Sequence, residues 1–309
     1  MSRLGSAGVS ASPEPIPPLK ASGFTTTTTV PLYWCSYGPE NAERLLVLHG
    51  GPGAHHDYML PQMLHLAERY ELIFYDQRGG GRSRVDGSER ITWETNVADL
   101  ASVLREFSIA NPSIVGYSWG GMLAILYTVQ SMGESGLPLP ARLALIDPAP
   151  LTKQYRREFE REFARRENGL EIRKMRETLA ESGLRQSDPD AYRQRTFELA
   201  VAAYFADPAR ASGLTPFRVS GRVQQSVWES LGPEYDVLAQ LSPPGCPTLF
   251  VHGREDPIPM ASSQAGARAM NAKLVLLDDC GHVPYVEQSG RFFAALDEFL
   301  TGSDSRTRD

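Results

Sequence analysis

Ser113-Ile114-Val115-Gly116-Tyr117-Ser118-Trp119-Gly120-Gly121-Met122-Leu123-Ala124-Ile125-Leu126 is the stretch whose reading decides the fold. A short run suited to a buried strand passes straight into a glycine-flanked serine, and an almost wholly apolar helical series follows. Strand and helix backbones then pass so close that the flanking positions must be glycine. The turn holds the serine in a strained conformation with its hydroxyl outward, which is the setting of a nucleophile. Gly-x-Ser-x-Gly alone is a weak signal; its place between a buried strand and an apolar helix gives it weight.

The same grammar recurs on both sides. Arg44-Leu45-Leu46-Val47-Leu48 stops at His49-Gly50-Gly51-Pro52-Gly53, and Leu72-Ile73-Phe74-Tyr75 stops at Asp76-Gln77-Arg78-Gly79. Leu143-Ala144-Leu145-Ile146, Thr248-Leu249-Phe250-Val251 and Lys273-Leu274-Val275-Leu276-Leu277 are further runs of this kind. Such unbroken apolar runs suit strands buried on both faces of a parallel sheet. Residues 24–37 alternate in the manner of edge strands. Residues 92–107, 121–129 and 291–300 carry helical periodicity between the strands, so the fold class is α/β with a doubly wound, mostly parallel sheet. Residues 151–240 break the alternation: helical patterns at 155–163, 196–205 and 219–231 predict an inserted helical cap. The expected organisation is a flexible N-terminal arm (1–23), a first core part (24–150), the cap (151–240), a second core part (241–302) and a flexible tail (303–309).

Composition narrows the classes of function. The chain has 309 residues, 41% hydrophobic and 22% charged, with a formal net charge of −6, which gives no basic face for nucleic acid. Cys35, Cys246 and Cys280 are odd in number and lack Cys-x-x-Cys spacing, which argues against a disulfide framework and a structural zinc site; reduced, mostly packed thiols are expected. Residues 1–23 have no apolar core of a secretory signal, and no apolar run reaches the length of a membrane span, so a cytoplasmic protein without membrane partners is the expectation. No metal or organic cofactor is called for.

A serine hydroxyl needs a base, and the base needs an orienting acid. With the nucleophile at such a turn the chain order is serine, acid, histidine. Downstream of Ser118 stand only His252 and His282. His282 lies in the loop after the last strand, from which an imidazole can reach back over the sheet end. Asp256 lies in the loop after the preceding strand. Ser118, Asp256 and His282 are therefore the expected triad, with Glu255 the alternative acid and His252 structural. The oxyanion needs two N–H donors: Trp119 after the nucleophile, and Gly51 (alternative, Gly50) in the glycine-rich loop. His55 and His56, just past this loop, are expected at the surface, with lining of the pocket the alternative.

Together, HGGPG at 49–53, DQRGGGRS at 76–83, GYSWGG at 116–121, GREDPIP at 253–259 and GHVPYVE at 281–287 resemble the prolyl aminopeptidase (proline iminopeptidase) family of serine peptidases with the α/β-hydrolase fold. The resemblance implies the same triad and oxyanion hole, and a structural Asp76-Gln77-Arg78-Gly79 loop in which Arg78 braces the site. It implies release of an N-terminal residue, often proline, from short peptides, with cap glutamates holding the free amine; Glu198 and Glu229 are the candidates. The substrate is thus a small peptide or amide, or an ester if the chain is a carboxylesterase or lactonase using the same triad. A non-catalytic ligand-binding protein on this fold is the third reading.

Overall fold

The computed structural model describes residues 18–133 and 136–302. The strands are β1 (Ala21–Phe24), β2 (Tyr33–Tyr37), β3 (Arg44–Leu48), β4 (Glu71–Tyr75), β5 (Ser113–Tyr117), β6 (Arg142–Ile146), β7 (Thr248–Gly253) and β8 (Lys273–Leu277). They form one sheet in the order β1-β2-β4-β3-β5-β6-β7-β8. β2 pairs antiparallel with both β1 and β4, and every later pairing is parallel.

Period-two alternation within the short apolar runs fills two cores at once. Leu45, Val47, Leu72, Phe74, Val115 and Val251 pack on one face, which is closed by Phe292, Phe293, Leu296 and Leu300. Leu46, Leu48, Ile73, Ile114, Leu145 and Phe250 point to the other. Two helices cover that second face, α1 (Trp93–Glu106) and α2 (Trp119–Met132), and both contribute buried side chains throughout. Thr92 caps α1, accepting a hydrogen bond from the Thr95 amide (3.3 Å).

Between β6 and β7 run five helices: α3 (Lys153–Glu167), α4 (Leu170–Glu181), α5 (Leu184–Ser187), α6 (Pro189–Val201) and α7 (Gly221–Ser230). Apolar periodicity predicts a helix over 196–205. α6 starts earlier because Asp188 caps it, accepting from the Ala191 amide (3.0 Å), with Pro189 at the first helical position. It ends in a short 3-10 turn, Ala202–Tyr204. The chain closes with α8 (Met260–Ala269), α9 (Pro284–Glu287) and α10 (Ser289–Leu300).

Most of the expected flexible arm, and the tail from 303 onward, lie outside the described residues. Within the arm, Ala21 to Gly23 belong to β1 and register against Ser36, Cys35 and Trp34, so this part is sheet. No helix among the described residues is long and apolar enough to cross a membrane.

Arg78, in the loop after β4, is buried and forms a double hydrogen bond with Asp99 of α1 (2.8 and 2.6 Å) and a third bond with Thr29 (2.7 Å). It ties the helix to the loop. Arg78→Met leaves a buried carboxylate without its counter-charge, so the expected cost is about 3–5 kcal/mol, read as a lower urea midpoint at unchanged slope.

Candidate active site

Ser118 sits between β5 and α2 with φ 53° and ψ −117°, a left-handed conformation that L residues rarely adopt. A Cβ at Gly116 would lie 2.5 Å from the Gly120 carbonyl oxygen, and one at Gly120 only 2.2 Å from that of Leu48. The close approach expected of the turn is therefore present.

The loops after β7 and β8 bring Asp256 and His282 to this serine. His282 Nδ1 donates to Asp256 Oδ2 (2.7 Å), and its Nε2 lies 3.0 Å from Ser118 Oγ. Asp256 Oδ1 accepts from the Ile258 amide (2.7 Å), which fixes the rotation of its carboxylate. Burial raises that carboxyl, but the charge and hydrogen bond of His282 more than offset it, leaving it below the usual range. A hydroxyl, an imidazole and an ionised carboxylate in this order can pass the hydroxyl proton to the ring. The alternative acid, Glu255, turns away and accepts from the Cys280 amide (2.9 Å). His252 has both nitrogens engaged, one with the Ile258 carbonyl (3.2 Å) and one with the Ser263 hydroxyl (3.0 Å).

The glycine-rich loop is set by His49. Its Nδ1–H donates to the Gly50 carbonyl (2.9 Å), and its Nε2 accepts from the Gln77 amide (3.0 Å). Burial lowers this imidazole to about 4, so it is neutral. The Gly50 carbonyl and the Gly51 N–H belong to one planar trans peptide and point in opposite directions. With the carbonyl held toward His49, the Gly51 N–H faces the other way, and Gly51 lines the cavity at Ser118. The Gly50 N–H is already spent on Tyr58 Oη (2.7 Å). Trp119 is the first residue of α2, where an amide has no partner within the helix. Its indole donates to Gln77 Oε1 (2.9 Å), joining this helix to the loop after β4.

Two buried acids stand beside the relay, and neither was marked by sequence reasoning. Asp147, at the end of β6, is fully buried with φ 40° and accepts from the Gly253 amide (2.9 Å). One of its oxygens, one of Asp256 and a ring nitrogen of His252 all lie within 4.8 Å of one another. Burial and the neighbouring Asp256 charge push the Asp147 carboxyl well above the usual range, opposite in direction to Asp256.

Glu287 accepts from the Gly281 (2.7 Å) and Ala206 (2.8 Å) amides and so fastens the His282 loop to the segment that follows α6. Burial pushes it up to about 7 against those donors. The folded chain therefore holds this proton more tightly than the unfolded chain, and the group's contribution to stability falls as pH rises from about 4.3 to 7. The fall amounts to roughly 3.5 kcal/mol at most. Urea unfolding at pH 5 and pH 8 should show this loss in the wild type and not in Glu287→Gln; equal slopes in both proteins would refute it.

Ser118 opens into a cavity of about 280 Å³ lined by Tyr58, Tyr117, Phe197, Val201, Tyr204, Leu214 and Phe217, among others. Tyr204, from the inserted segment, stacks on the His282 ring with centroids 5.2 Å apart, and its carbonyl accepts the His282 amide (2.7 Å). Neither candidate amine anchor is among the residues that line this cavity. Glu198 is buried but bonded to Gln194 (3.0 Å) and Arg195 (2.6 Å) on its own helix, and Glu229 is exposed and bonded to Gln225 (2.7 Å). Gln194 and Arg195 stand four and three positions before Glu198, so local helical pairing satisfies this carboxylate.

His56 corrects the surface expectation. It is 2% exposed, and its Nδ1 donates to Asp76 (2.7 Å) while its Nε2 lies 3.1 Å from Cys35 Sγ. Polar partners inside the core explain how this ring is buried without cost. His55 is partly buried and lines a second cavity outside the first. Cys35, Cys246 and Cys280 are free thiols.

Residues 45–296 match the model of the alpha/beta hydrolase family. The proline iminopeptidase of Lactobacillus delbrueckii subsp. lactis is 27% identical over 298 residues, covering 88% of this chain and 95% of that protein. Among solved structures, the proline iminopeptidase of Mycobacterium smegmatis superposes with a TM-score of 0.66 at 20% identity, covering 91% of this chain and 98% of that one. The enol-lactonase of Burkholderia xenovorans superposes with a TM-score of 0.62 at 19% identity, covering 90% and 100%. At these identities the structural likenesses speak for the fold.

Proposed function

Because the chain belongs to the alpha/beta hydrolase family, we propose that it is a serine hydrolase working through an acyl-enzyme on Ser118. The observation that carries this reading is the unbroken hydrogen-bonded line from Asp256 through His282 to Ser118 Oγ. Ser118 Oγ adds to the substrate carbonyl carbon while its proton passes to His282 Nε2. The oxyanion is held by the N–H groups of Gly51 and Trp119. Collapse re-forms the carbonyl and breaks the bond to the leaving group, which takes the proton from His282. A water molecule then repeats the sequence on the acyl-enzyme and frees Ser118. Asp256 stays ionised throughout and holds the imidazole in the working tautomer. Residues 151–240 act as the lid that shapes the acyl site.

For the substrate, the likeness to proline iminopeptidases supports an aminopeptidase that releases an N-terminal residue such as proline from short peptides. A buried ammonium needs a carboxylate partner, and no carboxylate lines the cavity among the described residues. That observation favours a second reading, a neutral ester or lactone with a compact apolar acyl group. Prolyl-4-nitroanilide, its N-acetyl derivative and 4-nitrophenyl isobutyrate separate the two. Cleavage of the free anilide, abolished by acetylation, establishes the peptidase; ester turnover with no anilide cleavage establishes the esterase and overturns the peptidase.

A further inference from the structure

Outside the catalytic cavity lies a larger one of about 830 Å³, and the two share Phe197, Phe217 and Val219 as a common wall. Their chemistry is opposite. The inner cavity is aromatic and aliphatic and carries no carboxylate, arginine or lysine among the described residues. The outer one is lined by four guanidinium groups, Arg82, Arg84, Arg193 and Arg218, against two carboxylates, Asp57 and Asp190.

Those charges do not cancel. Arg82 is held in a double hydrogen bond by Asp57 (3.1 and 2.8 Å), with its guanidinium 4.7 Å from the Tyr33 ring centroid. Arg193 pairs with Asp190 one helical turn away. Arg84, after the β4 loop, and Arg218, between α6 and α7, have no carboxylate within salt-bridge distance among the described residues. Both are exposed to the cavity solvent. Burial lowers the imidazole of His55, which lines the same cavity. Two cations without an ion-pair partner among the described residues thus line the cavity that shares a wall with the catalytic one, in a chain whose net charge is −6. A concentration of one sign against the overall balance draws ligands of the opposite sign.

Resting on the serine-hydrolase reading above, we infer that the outer cavity is the leaving-group subsite and that Arg84 and Arg218 select substrates whose leaving group ends in a carboxylate. The acyl group fills the small apolar cavity, where water is excluded, and the departing half extends into the larger open one. A planar guanidinium matches a carboxylate in two parallel hydrogen bonds. For a peptide substrate this carboxylate is the free C-terminus; for an ester it is a carboxylate on the alcohol half.

Two phenyl esters test this without choosing between peptide and ester: 4-(isobutyryloxy)benzoate and 4-(isobutyryloxy)benzamide, which differ only in the charge of the distal group. Each kcat/KM is divided by the rate of hydroxide-catalysed hydrolysis to remove the difference in leaving-group acidity. The expected result is a normalised preference for the benzoate of about tenfold at low ionic strength, falling severalfold in 0.5 M sodium chloride. It should collapse toward one in the Arg84→Gln/Arg218→Gln double variant, checked for folding by its melting curve. Turnover of both esters with a normalised ratio within twofold of one overturns the inference and leaves the hydrolase reading intact. Turnover of neither, together with failure of a fluorophosphonate to label Ser118, overturns both.

Discussion

Ser118→Ala is expected to lower kcat/KM by roughly four to six orders of magnitude on any substrate the wild type cleaves. Alanine keeps the Cβ that already sits at φ 53°, so the strain of the turn is unchanged. Only the hydroxyl goes, and with it the 3.0 Å contact to His282 Nε2. The glycine packing of Gly116 and Gly120 does not involve Oγ, so the melting temperature should stay within a few degrees of wild type. Residual rate above the uncatalysed reaction would come from the oxyanion donors alone. A loss below about a hundredfold in single-turnover assays would mean that another group attacks the carbonyl.

Asp256→Asn is the second large effect, with an expected loss of about three to four orders of magnitude in kcat. The direction follows from the hydrogen bonds on the carboxylate. Oδ1 accepts from the Ile258 amide (2.7 Å), so an asparagine must keep its oxygen there and present its NH2 to His282 Nδ1. A donor at that point makes Nδ1 an acceptor and moves the ring proton to Nε2, where it can no longer take the proton of Ser118. Asp147 does not take over, because its carboxyl oxygen accepts from the Gly253 amide, while the His282 ring is bonded to Asp256. The measurement is pre-steady-state acylation with a 4-nitrophenyl ester, and a loss under tenfold would show that the imidazole is oriented by something else.

The core was legible in the sequence because its signals are local. Apolar runs stopped by glycine or aspartate marked β3 to β8, and the chain order of nucleophile, acid and base follows from which strand each loop ends. Of the inserted helices, α3, α6 and α7 were legible as helices, though not in their boundaries or contacts, and α4 and α5 were not read. Their apolar stripes show a buried side without showing what covers it. Glu198 illustrates the limit: a glutamate beside Phe197 could as well face the cavity as its own helix, and in the fold it bonds Gln194 and Arg195. Asp147 and Glu287 escaped notice for a different reason. Their character comes from burial beside groups distant in sequence, Asp256 for one and the Gly281 and Ala206 amides for the other. His56 likewise looked like a polar loop residue until Asp76, twenty positions on, gave it a buried partner. The outer arginines show the same limit, since Arg84 and Arg218 become one site only when the inserted segment folds back over the loop after β4.

The central claim, that Ser118 is the nucleophile, is tested most directly by covalent capture. The protein is treated with a fluorophosphonate, digested and sequenced by tandem mass spectrometry. The account predicts one modified site, Ser118, no modification in Ser118→Ala, and much slower modification in His282→Ala. Capture at any other residue, or undiminished labelling of Ser118→Ala, would contradict it.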